Sequence, residues 1–355
     1  MNQWTKRTAV MLMAGSVVTT GLTGCGSKAV DNNEVVATVN GEDISYGVAN
    51  FSARMDQASV EYYYESMMGT SVGTEMWTSE VGEGLTYEDS VKESIMESIQ
   101  SLYLIRQHAE EYGVELTEEE QEAIEKAVAV FEEDNALEDK ELISGEEVYV
   151  KEFLELMTFQ KKMEEPMQDG YDANVSDEEA AQKKMSYVYF SFNTTDEEGN
   201  SAEMTDDEKA ELKTKAENFA TALKNDPAMT MDALSVEYEV EVSTVTFDSE
   251  LTAPNADLIA AADAFTAEGE VTDVIEAENG YYVGQLTSLF DEEAAATEKA
   301  SIIEERKNAQ YTELLESWKE EAEVTVNDEV WEKVDFETVG VSYKESSEEY
   351  DDTAE

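Results

Sequence analysis

Cysteine and histidine occur once each in 355 residues, as Cys25 and His108, and proline only three times. A single cysteine excludes an internal disulfide and a Cys-rich zinc site. A single histidine removes His-based triads, His clusters and most metal chemistry, and no cofactor is expected. Basic side chains are also scarce: 23 Lys and Arg stand against 84 Asp and Glu, a formal charge of −61. A phosphate-binding surface needs a basic patch to displace counterions, and no run of five or more Lys or Arg occurs, which argues against nucleic acid as a partner. What is present is a globular composition, 41% hydrophobic and 30% charged. At about 150 residues per domain, the length suggests roughly two domains.

Residues 1–24 read as an export signal: basic Lys6 and Arg7, an uncharged Thr8–Leu22 stretch too short to span a bilayer, then small residues. Leu22-Thr23-Gly24-Cys25 resembles the bacterial lipobox, and that resemblance implies a lipidated Cys25 as the first mature residue. Removing residues 1–24 takes away Lys6 and Arg7 and no acid, leaving −63. An anionic membrane repels such a chain, so attachment must come from lipid, with residues 25–34 as a flexible linker. The expected location is the extracytoplasmic face of a bacterial cell membrane.

An α+β fold is expected. Val35–Val39 alternates and turns at Asn40-Gly41, the strongest short hairpin signal. Ser45–Met68 reads as a helix and Gly69–Gly84 as a loop. Thr86-Tyr-Glu-Asp89 and Thr117-Glu-Glu-Glu120 are capping boxes opening two further helices, and Gly145–Gln168 supplies a fourth. Val91, Ile95, Ile99, Leu102, Ala109 and Tyr112 form a core stripe on the first of the capped pair, with His108 on its flank as a surface or boundary residue. Residues 35–175 are therefore expected to be a mainly helical domain.

Composition then changes. Ser176-Asp-Glu-Glu179 reads as the cap of a short helix leading into a strand at Met185–Phe192, and Thr205-Asp-Asp-Glu208 opens a helix to about Asn225 after a polar loop. A short helix, a strand at Val240–Phe247, a helix at Asn255–Phe265 and strands at Val271–Glu276 and Tyr281–Leu289 complete a β-α-α-β-α-β-β unit within 176–290. A long helix from Glu292 and the run Val324–Val334 fill 291–343. The tail, 344–355, is acidic and expected to be disordered.

These residues resemble the PrsA-like and SurA-like extracytoplasmic foldases, helical chaperones built around a parvulin-type peptidyl-prolyl isomerase module. Val36-Ala-Thr-Val-Asn-Gly-Glu-Asp-Ile44 looks like the opening of their chaperone domain. Ala264-Phe265, Gly269-Glu-Val-Thr272 and Asn279-Gly-Tyr-Tyr-Val-Gly-Gln-Leu286 resemble the C-terminal half of a parvulin module. The resemblance implies that the module is inserted in the helical domain, that the long C-terminal helix and strand return to that domain, and that the partners are unfolded or newly exported polypeptides. The departures bear on mechanism. Where active parvulins carry a histidine on the first strand, this chain has Ser186-Tyr187-Val188-Tyr189; where a second follows the last strand's Gly-Tyr, it has Tyr282. The Gly-Gly-x-Leu-Gly segment is replaced around Phe247–Pro254. Rotation about X-Pro makes no covalent intermediate and needs only tighter binding of the twisted amide. A phenol with a reference pKa near 10 cannot supply the charge tuning of paired imidazoles. Weak or no isomerase activity is expected.

Candidate cleft residues are Tyr187, Phe190, Phe265, Tyr281 and Tyr282, which either line a vestigial cleft or fill the sheet core. Candidate client-binding residues are Tyr62, Tyr63, Met67, Met68, Met76 and Trp77, with Tyr64 beside them: Met and aromatic groups make adaptable surfaces, and the alternative is that some pack the helical core. Asp196-Glu-Glu-Gly199-Asn200 lacks the spacing of a calcium loop and reads as a solvated turn. The expected function is a membrane-anchored chaperone for exported chains. An active isomerase and a solute-binding lipoprotein, the latter requiring two α/β lobes, are the alternatives.

Overall fold

The computed structural model of the chain describes residues 17–21, 30–69, 74–82, 84–195, 201–226 and 228–343. The lipobox cysteine, most of the leader, residues 196–200 and the acidic tail lie outside the described residues. Two units divide the chain: Met1–Gly170 with Ala309–Glu355, and Tyr171–Asn308.

In the first unit, the backbone of β1 (Val17–Gly21) pairs antiparallel with residues 339–343. β2 (Val35–Val39) and β3 (Glu42–Ser45) form a hairpin through Asn40 and Gly41, at φ 52° and 81°. Two successive left-handed residues are what a type I′ turn demands, which is why Asn-Gly was so strong a signal. Ser45 Oγ accepts from Val48 N–H at 3.3 Å and caps α1 (Tyr46–Met68). The expected loop after α1 contains a 3₁₀ turn, Thr74–Met76, and a small hairpin of β4 (Glu80–Gly82) and β5 (Leu85–Thr86). α2 (Tyr87–His108) and α3 (Glu118–Asp134) start at the two capping boxes as read, with Asp89 and Glu120 carboxylates accepting from the Thr86 and Thr117 backbone N–H groups at 2.9 Å. The stripe on α2 is buried at Ile95, Ile99 and Leu102, and Ala109 continues it. Tyr112 does not, because the helix tightens into a 3₁₀ turn at Ala109–Tyr112 and leaves it 38% exposed. α4 (Leu137–Ile143) was not foreseen, and α5 (Glu147–Gln168) keeps Pro166 inside its last turn.

In the second unit, Ser176 caps one turn and no helix, its hydroxyl accepting from Glu179 N–H at 3.1 Å. The unit consists of β6 (Lys183–Ser191), a small hairpin of β7 (Asn193–Thr195) and β8 (Ser201–Glu203), α6 (Asp206–Asn225), α7 (Met231–Tyr238), β9 (Val242–Phe247), α8 (Ala256–Asp263), β10 (Ile275–Ala277) and β11 (Gly280–Ser288). Its sheet is antiparallel throughout, in the order β10-β11-β6-β9. α6 and α7 cover one face through Phe219, Leu223, Met231 and Leu234; α8 covers the other through Leu258, Ile259 and Ala262.

α9 (Glu292–Glu321) runs from the second unit into the first. Its Tyr311, Leu314, Leu315 and Trp318 pack with Ile105, Ala109, Met163 and Met167 of the first unit. β12 (Val324–Val326) adds to the first hairpin in the order β12-β2-β3, and α10 (Asp328–Trp331) leads to β13 (Val339–Tyr343). The stretch from 332 to 338 lacks regular structure, yet Val334 and Phe336 are fully buried. Buried backbone must find partners, and α1 and α2 supply them. Arg54 Nη1 donates to the Asp335 and Val339 carbonyls at 2.9 and 3.2 Å, Gln57 Nε2 donates to Val339 C=O at 2.9 Å, and Glu88 Oε1 accepts from Phe336 N–H at 2.9 Å. Among the described residues neither unit shows the repeated strand-helix alternation of a solute-binding lobe.

Candidate functional site

Successive residues of a strand point to opposite sides, so β6 sends Met185, Tyr187 and Tyr189 to one face and Val188 and Phe190 to the other. In β11, directly opposite β6, Tyr282 pairs with Tyr189 and Tyr281 with Phe190. This parity divides the five expected cleft residues. Tyr187, Tyr282 and Phe265 lie with α8, partly buried beside Leu251 and Ile275. Phe190 and Tyr281 are 2% and 5% exposed on the opposite face. There Phe190 meets Phe219 edge-on at 5.7 Å and Tyr281 meets Phe192 at 5.0 Å, so these two are core packing against α6 and not part of a shared cleft.

On the α8 face the phenol rings form a group. Tyr282 stacks on Tyr189 at 4.6 Å and lies 6.0 Å from Tyr187. Tyr189 was missed from the sequence, although two-residue alternation from Tyr187 pointed to it. Its hydroxyl donates to Asn279 C=O at 2.6 Å. Its ring lies across Gly280, where a Cβ would come within 2.4 Å of both that ring and Phe190 C=O, so only glycine fits there. Gly284, directly opposite Tyr187, is closely packed in the same face, where a Cβ would come within 3.0 Å of Leu258 and 3.2 Å of Met185. Burial, with Tyr189 and Tyr187 adding to it, pushes the Tyr282 hydroxyl above its ordinary value and keeps it protonated as a donor. The face is thus an aromatic layer packed beneath α8, with the protonated Tyr282 hydroxyl as its chemical handle.

A second candidate surface lies on α1. Its first half is buried at every position but Asp56, and beyond Ala58 the helix emerges, with Tyr62, Tyr63, Met67 and Met68 63%, 58%, 67% and 65% exposed. Gly69 ends it at φ 67°. Tyr64 meets Tyr63 and Tyr87 edge-on at 5.7 and 6.3 Å. Trp77 does not join this surface. It is fully buried, stacked on Tyr87 at 5.4 Å and 4.8 Å from Phe336, with Nε1 donating to Glu61 Oε1 at 3.0 Å. Met76 is half-buried against the same core. Of the six expected client-binding residues, four are grouped and exposed, Met76 is half-buried and Trp77 is packed away.

His108 is a boundary residue, stacked face to face on Trp318 at 4.2 Å, with Nδ1 3.1 Å from Glu111 Oε1. Among the described residues no group of three or more His, Cys, Asp and Glu is placed to hold a metal ion, and no helix is long and apolar enough to cross a membrane.

No family model and no curated protein matches the chain. Solved structures do resemble it. A foldase protein PrsA from Streptococcus pneumoniae is 16% identical, with 73% of this chain and 98% of that one covered and a TM-score of 0.30. A peptidylprolyl isomerase (PrsA) from Bacillus anthracis is 17% identical over 64% of this chain and 96% of its own, TM-score 0.23, and PrsA from Bacillus subtilis is 13% identical over 85% and 98%, TM-score 0.21. Superposition at this level decides neither fold nor chemistry, which rest on the chain's own geometry.

Proposed function

We propose that the chain is an extracytoplasmic foldase of chaperone type, which holds unfolded exported polypeptides and is tethered to the membrane by lipid on Cys25. The observation that carries this reading is the emergent end of α1, where four large Met and Tyr side chains stand in solvent on one element with a rigid, buried root. Unbranched thioethers and phenols adapt to unrelated apolar segments, so binding there is shape-tolerant. In this reading residues 35–175 and 291–343 make the chaperone domain and residues 176–290 an inserted parvulin-like module. The names of the PrsA structures, foldase and peptidylprolyl isomerase, agree with it.

The parvulin-like module keeps weak isomerase activity or none. Catalysis would require the Tyr187, Tyr189 and Tyr282 face to bind the twisted amide better than the planar one, against a barrier of about 20 kcal/mol. The protonated Tyr282 hydroxyl offers a donor but no group that titrates near neutral pH.

The test is aggregation of a chemically unfolded model protein in the presence of the chain lacking residues 1–24. Suppression is expected, and it should be lost when Tyr62, Tyr63, Met67 and Met68 are all changed to Ser. Aggregation at an unchanged rate with the wild-type chain refutes the reading. An active isomerase is the second reading, favoured by the phenol group on the α8 face. Acceleration of a proline-limited refolding reaction, lost in Tyr187→Ala with Tyr282→Ala, would establish it.

A further inference from the structure

The sheet β12-β2-β3 ends at β12. Asn40 N–H donates to Glu323 C=O and Asn327 N–H to Val36 C=O, both at 2.8 Å, so the inward-pointing backbone on this edge belongs to Glu323, Thr325 and Asn327. Bonded and non-bonded positions alternate in an antiparallel pair, which turns the N–H and C=O groups of Val324 and Val326 outward. Among the described residues no strand pairs with them there. Their side chains stand directly beside those of Val39 and Ala37, which are buried core, yet are 37% and 39% exposed. Among the described residues the apolar layer of the sheet thus reaches its edge only partly covered.

Beside this edge runs a groove of about 460 Å³, with Met96 and Trp331 as its apolar floor. Its rim carries the carboxylates of Asp89, Glu93, Glu97, Asp328 and Glu332. Lys92, the one cation among the lining residues, is already engaged: it donates to Val334 C=O at 2.6 Å and lies 3.8 Å from Glu88.

We propose that this edge binds an extended, cationic stretch of an unfolded client by strand addition. The client backbone would pair with the outward groups of Val324 and Val326. Alternate apolar side chains would cover the two valines and enter the groove, and intervening Lys or Arg would meet its rim. Charge selects the occupant: a second copy of a chain carrying −61 would set acidic rim against acidic rim.

The test uses a fluorescein-labelled peptide of about ten residues alternating Val with Lys, and a counterpart with Glu for Lys. The lysine peptide should bind the wild-type chain, weaken with salt, and slow amide exchange at Val324 and Val326 by about tenfold or more; the glutamate peptide should not bind. Val326→Pro removes one outward N–H that β2 does not use, and Glu93→Lys with Glu97→Lys reverses part of the rim. Each should weaken binding at least about tenfold with the far-UV spectrum retained. Unaltered exchange at both valines under saturating peptide, or equal binding of the two peptides, overturns the inference. So does protection that grows with protein concentration in the absence of peptide, which assigns the edge to a second copy. If Val326→Pro fails to fold, the exchange measurement on the wild-type chain decides. The inference takes its occupant from the client-holding reading. A chain that suppresses aggregation without protecting these valines refutes strand addition alone. A chain that does not suppress aggregation refutes the holding reading, and exchange still decides the edge.

Discussion

Trp77 separates the proposed client-binding surface from the core that supports it, and its substitution tests that division. The indole is fully buried between Tyr87 and Phe336, and its N–H is donated to Glu61, which also accepts from Gln57 Nε2 at 2.8 Å. Removing a buried indole costs about 3–5 kcal/mol, because the transfer energy is lost and the cavity does not fully collapse. Trp77→Phe keeps most of the ring packing and removes one hydrogen bond to a charged acceptor, a loss of about 1.5–3 kcal/mol. Small domains have only about 5–15 kcal/mol in total, so both changes should be plain in urea unfolding followed by far-UV circular dichroism. The midpoints should fall in the order wild type, Trp77→Phe, Trp77→Ala. Below the unfolding range, suppression of aggregation should be unchanged. An unshifted midpoint in Trp77→Ala together with lost suppression would mean that the indole contacts clients and that its burial has been misread.

Three other outcomes follow from the same packing. Gly47→Ala should lower stability by about 1–3 kcal/mol, because a Cβ there would sit 2.5 Å from the Tyr149 ring where α1 meets α5; an unchanged thermal midpoint would refute that contact. Gly41→Ala should cost about 1–2 kcal/mol through its φ of 81°, although a Cβ there meets nothing, and a smaller loss in urea melts would argue against the type I′ turn. Burial pushes the Glu88 carboxyl above its ordinary value, opposed by the Phe336 N–H and Lys92. Such a group contributes stability that is complete below its unfolded pKa, about 4.3, and is lost as pH rises through the raised folded value. Glu88→Gln, whose amide oxygen still accepts from Phe336, should therefore gain on the wild type from about pH 4 to pH 8, and a pH-independent difference would refute the assignment.

Local chemistry was legible wherever a side chain answers its own backbone. The boxes at Thr86, Thr117 and Thr205 and the Asn40-Gly41 turn depend on residues three or fewer positions apart, and each formed as read. α4 escaped because Leu137–Ile143 has no side-chain cap and begins after Ala136. Ser176 carried a cap signal, but the chain turned once and entered β6. The candidate sites were half legible. Strand parity, present in the letters, separates Tyr187 and Tyr282 from Phe190 and Tyr281; the sequence does not say which face meets which helix.

Sequence alone determined the capped helices, the Asn-Gly hairpin, the acidic charge and the scarcity of imidazole and thiol, since these depend on composition and on contacts between near neighbours. Only the tertiary structure decided which aromatic residues are buried, because burial depends on distant partners. Phe336 lies 259 residues from Trp77 yet packs against it, and Arg54 and Gln57, polar positions on a helix, are buried to satisfy the backbone of a C-terminal segment that has no regular structure of its own.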